Sequence, residues 1–385
     1  MIPRLALTRY RLPLRRPWRT AHGVRHERVG WLVQASYGGR CGYGDCAPLP
    51  EAGTETPMAA AERLSTWLRD HGASAPEIQL ALLSRAVPST TPAADAALET
   101  ALLDLCARLG ERPLRVHLAR EGDRASATTQ EPITEPELLP TPNRLEPASE
   151  IELNAAFGAV VDVPRSAVDE ALAAGFRVLK IKVGVALIEQ EVAAILRLCS
   201  RLPAGARLRL DANRGWSREA AGMVLDDLRP AARLIESLEE PCGDATNAEL
   251  RALQAKTSIA LALDESLSVF GWPLDPERLP LRRMVLKPAV IGGLRPTLAL
   301  AQRARAAGRE VVITSMIESA AGLWSSAQLA AASGSKLAHG LATSDWLAED
   351  LGPAPAIEAG HVRLPDCPGS GFSPDNPTVS LHASR

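Results

Sequence analysis

The run Val178-Leu179-Lys180-Ile181-Lys182-Val183-Gly184 sets two lysines inside an apolar, β-branched tract. A near-continuous hydrophobic run of this kind reads as a parallel strand buried on both faces. Side chains alternate across a strand, so Lys180 and Lys182 point the same way. Two ammonium groups on one buried face are costly unless anions lie close, and burial pushes an ammonium down toward the range useful to a base. The downstream chain should therefore supply carboxylates on the same side.

It supplies them at regular intervals. Strand-like segments at 207–212, 233–238, 259–263 and 283–287 end in Asp211-Ala-Asn213-Arg214, Glu239-Glu240-Pro241, Asp264-Glu265-Ser266 and Lys287-Pro288. The charged positions fall 28, 25 and 23 residues apart (211 to 239, 239 to 264, 264 to 287), each about one βα unit. With 151–156, 178–183, 310–315 and a shorter final strand near 336–341, and with helical patterns such as 165–174, 185–201 and 217–228, the pattern predicts a TIM-like (β/α)7β barrel. Charges at the C-terminal ends of consecutive parallel strands converge on one mouth. Arg209, Asp211 and Asn213 share a face, as do Ala260, Ala262 and Asp264. Arg209 and Asn213 are thus candidate substrate contacts beside the acids. Any one of these motifs alone is an ordinary turn, cap or solvated face. Their occurrence in order, each at a strand end, points to catalysis.

Three carboxylates on adjacent strand ends repel one another unless a cation sits among them. Oxygen ligands without His or Cys favour Mg²⁺, with Mn²⁺ as an alternative, over Zn²⁺. Lys182 and Lys287, from well-separated strands, would flank the site. The implied chemistry is removal of a proton next to a carboxylate, so the expected partner is a small-molecule carboxylate substrate.

The rest of the 385-residue chain sets the context. The length predicts more than one domain. Residues 1–120 read as α+β, with strands at 3–12 and 29–37, a hairpin return at 41–46, and helices at 57–70, 76–86 and 93–109. Residues 121–150 are rich in Pro, Thr, Ser and Glu and read as a linker. The barrel is expected over 151–354, and a Pro- and Gly-punctuated tail, 355–385, is expected to pack back on the N-terminal domain. The net charge of −2 gives no reason to expect a nucleic-acid or membrane partner, and no G-x-G-x-x-G or Walker A motif is present. Six scattered cysteines suggest reduced thiols and a cytoplasmic protein. No run reaches about 18 apolar residues, so no transmembrane helix is expected. His22, in Thr-Ala-His-Gly, reads either as a substrate-facing loop residue or as a surface one; His339 reads as structural. The oligomeric state is left open.

At these residues the chain resembles the enolase superfamily, in its muconate-lactonizing branch, and within that branch the o-succinylbenzoate synthase family. The matching segments are Gly42 to Pro50, Lys180-Ile-Lys182-Val-Gly184, Leu208 to Trp216, Leu238 to Cys242, Asp264 to Leu267, Val285 to Pro288 and Ser315 to Leu323. The resemblance implies a capping domain built from both ends of the chain. It implies Asp211, Glu239 and Asp264 as Mg²⁺ ligands, Lys182 as base and then acid, Lys180 as an electrostatic helper, and Lys287 on the opposite substrate face. Ser315, Ser319 and the loop near Ala21 to Gly23 would contact substrate. The implied reaction is syn dehydration of a succinyl-hydroxycyclohexadiene-carboxylate to 2-succinylbenzoate, as in menaquinone biosynthesis. A two-base racemase of N-acyl amino acids is the alternative, and a non-catalytic binding barrel is a third reading. The missing Asp-x-Asp motif near 340–350 argues against a dipeptide epimerase.

Overall fold

The computed structural model describes residues 2–20, 23–84, 89–127, 147–271 and 273–375. Three antiparallel strands open it: β1 (Arg4–Thr20), β2 (Gly23–Tyr37) and β3 (Arg40–Cys46). β1 runs well past the predicted residue 12, with a register irregularity between Pro13 and Trp18. Its Arg-rich second half lacks an apolar alternation, so only the pairing with β2 reveals it as strand. Helices Pro57–His71, Pro76–Ser84 and Pro92–Leu109 follow close to their predicted positions.

Helix Pro92–Leu109 packs directly onto β3, and the sequence shows why. A Cβ on Gly42 would lie 2.2 Å from the Leu105 nitrogen, and one on Gly44 would lie 2.0 Å from the Ala97 carbonyl oxygen. Only glycine on the strand and alanine on the helix let the two backbones approach so closely. The helix is buried almost throughout, so its acids need partners. Asp95 accepts from Arg63, Glu99 from Arg295, and Asp104 from Arg108 and the backbone N–H groups of Tyr43 and Ser370.

A further helix, Leu114–Ala127, runs into the stretch read as linker. Pro113, which looks like a helix stop, instead stands just before the start of the next helix, where its missing N–H costs nothing. Leu114 and Leu118, one turn apart, bury that helix's inner face. Residues 128–146, the Pro-rich core of the predicted linker, lie outside the described residues, as does His22.

After the short strand β4 (Glu150–Glu152) comes a seven-stranded parallel sheet. In chain order it holds β5 (Asn154–Ala159), β6 (Val178–Lys182), β7 (Arg207–Asp211), β8 (Ile235–Glu239), β9 (Ala260–Leu263), β10 (Arg283–Leu286) and β11 (Glu310–Ile313), each paired with the next. The predicted last strand shrinks to isolated bridges at His339 and Gly340. His339 bridges Leu153 and Gly340 bridges Thr314, which ties the β5 edge to the β11 edge. His339 is buried and accepts the Ile313 N–H at Nδ1 (3.0 Å). Burial, with Arg209 nearby, pushes its imidazole down to about 3, so it stays neutral in the barrel wall.

The tail adds β12 (Ile357–Glu358) and β13 (His361–Arg363), which pair with each other, and β13 also pairs with β4. It then returns to the N-terminal layer. The Leu114 N–H donates to the Gly369 carbonyl (2.8 Å), and Phe372 stacks edge-on against Tyr43 at 5.4 Å.

Candidate active site at the strand ends

Within β6, Leu179 and Ile181 are fully buried on the helix side, while Lys180 and Lys182 share the other face and are half-buried. Strand register then sets the neighbours. Lys182 pairs with Asp211 across β6 and β7, and Asp211 pairs with Glu239 across β7 and β8. Asp264 follows the last residue of β9, and Lys287 the last residue of β10. Five of these six groups make contact. Lys180 Nζ donates to both oxygens of Glu239 (2.8 and 2.9 Å) and lies 2.9 Å from Asp211 Oδ2. Lys287 Nζ donates to Asp264 Oδ2 at 2.6 Å.

Lys182 differs: its ammonium makes no hydrogen bond or ion pair with any described residue. Burial by itself would push Lys180 and Lys287 down, as the sequence reading expected for buried ammonium groups. Asp211, Glu239 and Asp264 outweigh burial at Lys180, and Asp264 with Glu265 does so at Lys287, so both sit well above the ordinary lysine value. Burial, with Asp211 and Asp264 close by, holds Glu239 well above the usual carboxylate range.

The two glutamates of Glu239-Glu240-Pro241 divide their tasks. Glu240, at φ 46°, turns its side chain away from Lys180. It accepts the Asp264 N–H (2.7 Å), the Ser266 N–H (2.9 Å) and the Ser266 hydroxyl (2.6 Å). Glu240 thereby holds the turn that presents Asp264. Asn213 sits in the left-handed region at φ 42°, which Asn tolerates better than most residues. Its N–H donates to Asp211 Oδ1 (3.2 Å).

Two predicted contacts lie elsewhere. Arg209 shares the face of Asp211 but sits one layer deeper in the barrel. A buried guanidinium requires a carboxylate, and it donates to Glu236 at 3.0 and 3.2 Å and to Asn154 at 3.2 Å. Ser319 is buried at the start of helix Ala320–Ser333, where both its N–H (2.7 Å) and its hydroxyl (2.8 Å) donate to Asp45 of β3. That commits it to joining cap and barrel. Ser315 stays near the mouth, within 2.7 Å of the Thr343 hydroxyl.

Sequence reasoning did not single out Glu265 or the Asp45 cluster. Glu265 lines a cleft of about 210 Å³ together with Asp264, Lys287 and the cap residues Gly53, Thr54, Ser89 and Thr90. Its Oε2 is buried with no hydrogen-bond partner. Burial and neighbouring Asp264 push its carboxyl up to about 7. At the other junction, Asp45 also accepts from the Tyr10 hydroxyl. Arg28, buried beside it, donates to the carbonyls of Ala47, Pro48 and Ile317. The signal was weak: Arg28 stands beside Arg25, His26 and Glu27 in β2, so no pattern marks it as buried, and Asp45 alone is a charge among small and apolar neighbours, between Gly44 and Cys46.

The donor set suits a hard divalent cation: three carboxylates from adjacent strand ends and no His or Cys. As placed, no three such side chains among the described residues close on one point. The Lys180 ammonium lies between Asp211 and Glu239 instead, and it shows that this gap accepts positive charge.

Residues 164–378 match the family model described as "Enolase C-terminal domain-like", more than half of the chain. The chain belongs to the enolase superfamily. Residues 3–99 match the model described as "MenC, N-terminal domain". The chain is 31% identical over 326 residues to the o-succinylbenzoate synthase of Yersinia pseudotuberculosis, covering 84% of this chain and 85% of that one; the Yersinia pestis counterpart matches equally. Among solved structures, a dipeptide epimerase from Methylococcus capsulatus, complexed with Mg and a dipeptide, superposes with a TM-score of 0.78 at 25% identity, over 96% of this chain and 99% of that one. Muconate lactonizing enzyme from Pseudomonas fluorescens gives 0.77 at 20% identity, over 97% and 96%. These neighbours share the barrel-and-cap fold, and this enolase-superfamily chain is an enzyme.

Proposed function

We propose that this enzyme is an o-succinylbenzoate synthase, a carbon–oxygen lyase that dehydrates 2-succinyl-6-hydroxy-2,4-cyclohexadiene-1-carboxylate to 2-succinylbenzoate. The observation that carries the reading is the 31% identity to curated o-succinylbenzoate synthases across 84% of the chain, spanning the cap as well as the barrel. The MenC-type match over residues 3–99 supports it.

The side chains divide the chemistry between them. Lys182 Nζ, unpaired among the described residues, takes the proton on the carbon bearing the carboxylate. The C–H electron pair moves into the carboxylate to give an enediolate. Collapse of the enediolate breaks the C–O bond to the hydroxyl, and the Lys182 ammonium returns its proton to the leaving oxygen as water. One group acting on one face gives syn elimination and leaves the lysine neutral for the next turnover. Lys180 and Lys287 supply fixed positive charge on either side. Asp211, Glu239 and Asp264 would hold Mg²⁺, which when bound offsets the second negative charge of the enediolate. Turnover yields an aromatic ring, so the elimination is effectively irreversible. The free thiols fit a cytoplasmic enzyme.

The racemase alternative gives Lys287 a second proton-transfer role on the opposite substrate face, and the identity to curated o-succinylbenzoate synthases favours the one-base reading over it. An epimerase would need acids near 340–350 for an amino group. Asp345 and Glu349 are exposed there and form no Asp-x-Asp pair, and Asp350 is taken up by the N–H groups of Ala320 and Leu351. The direct assay follows loss of the diene absorbance, with Mg²⁺ added or withheld. Mg²⁺-dependent turnover is expected. No turnover of the diene, combined with Cα deuterium exchange of N-succinyl amino acids in D₂O, overturns the assignment.

A further inference from the structure

The N-terminal ends of the barrel strands, opposite the mouth, surround a second concavity of about 660 Å³, within the range of small-molecule sites. Six cations line it: Arg177, Arg207, Arg233, Arg282, Arg283 and Lys336. Against them stand only Glu152, Glu236 and Glu310. Two of the three carboxylates are already shared, and Glu152 makes no ion pair among the described residues. Glu236 takes Arg209 and Arg283, and Glu310 takes Arg282 and Arg283.

Four cations at the rim are left without a carboxylate among the described residues. Arg177 and Arg207 donate only to backbone carbonyls, and Arg233 and Lys336 make no ion pair. The floor repeats the excess. Arg283 is 2% exposed, and its Nη1 has no hydrogen-bond partner although it lies beside the cavity. A buried guanidinium N–H without an acceptor carries its full desolvation cost, and an oxyanion would remove it. The cations come from the loops that enter successive strands, so the excess is built around the barrel axis. It stands out in a chain whose net charge is −2.

We propose that this basal cavity binds a small polyanion bearing clustered phosphate or carboxylate groups, held by the Arg283 floor and the Arg233 and Lys336 rim, independently of the mouth. Phosphate and carboxylate oxygens present the same acceptor geometry to arginine, so both sources share this chemistry.

The test uses the full chain, stripped of divalent cations and dialysed free of chelator. Inorganic pyrophosphate and citrate are titrated by calorimetry at about 0.15 M salt, where long-range attraction is screened. The site predicts one saturable equivalent for at least one probe, and the tighter probe assigns phosphate or carboxylate chemistry. The double variant Arg233→Glu/Lys336→Glu should weaken binding at least tenfold, while Lys182→Ala at the mouth leaves it unchanged. Absence of saturable binding below about 1 mM for both probes overturns the proposal. So does binding that survives the double variant, or that is lost in Lys182→Ala.

Discussion

At the mouth of the barrel, Lys180 and Lys287 are pinned to buried carboxylates while Lys182, on the same strand face as Lys180, has no described partner. One layer deeper, Arg209, Glu236, Arg283 and Glu310 form a continuous chain of ion pairs that leaves only the outer nitrogen of Arg283, toward the basal cavity, without a partner. The same residue types therefore serve two ends differently. Carboxylate pairing in the lower layer offsets the buried guanidinium charge and fixes the wall. Incomplete pairing at the mouth keeps one amine available and leaves carboxylates able to exchange partners. Buried charge alone does not distinguish the two ends; the pattern of its pairing does.

The comparison breaks most sharply at Lys182. Lys182→Ala should lower turnover of the diene by about 10³-fold or more, the scale of a lost general base, while the thermal midpoint stays close to wild type. A variant that unfolds with its activity per folded molecule intact would place Lys182 with the structural charges instead. The reverse pattern is expected below. Glu236→Ala leaves the buried guanidinium groups of Arg209 and Arg283 short of a carboxylate and should cost about 3–5 kcal/mol of stability, read by chemical denaturation, with kcat little changed. If kcat falls while stability holds, the lower layer belongs to the chemistry.

The smallest effect is expected at the junction of cap and barrel. Burial, with Asp45 nearby, pushes the Glu318 carboxyl up to about 7 from an ordinary 4.5. A raised carboxyl favours the folded state while it is protonated. Its contribution is full below about pH 4.5 and is lost as pH rises through about 7. Relative to Glu318→Gln, the wild type should therefore lose up to about 3 kcal/mol between these limits. Parallel stability curves for the two proteins would show that Glu318 ionises normally.

Much of this was legible in the chain because it is locally encoded. Parallel strands buried on both faces announce themselves as apolar runs, and their boundaries at 178, 207 and 283 agree with the structure. Alternation placed Lys180 with Lys182 and put Asp211, Glu239, Asp264 and Lys287 at strand ends. Alternation gives a face but not a depth, so Arg209 read as a neighbour of the substrate although it faces Glu236. Ser319 was misplaced because its partner, Asp45, lies 274 residues away. The barrel closure at His339 and Gly340 rests on bridges too short to leave a strand pattern.

The sequence by itself determined the repeating βα units, the order of the polar strand ends and the set of acids and lysines, since these follow from side-chain period and spacing. Only the tertiary structure decided which lysine is paired, which glutamate of Glu239-Glu240 faces the mouth, and where the excess of arginine gathers. Those outcomes depend on ångström-scale distances between side chains far apart in the chain, and charge energies change steeply over such distances in a dry interior.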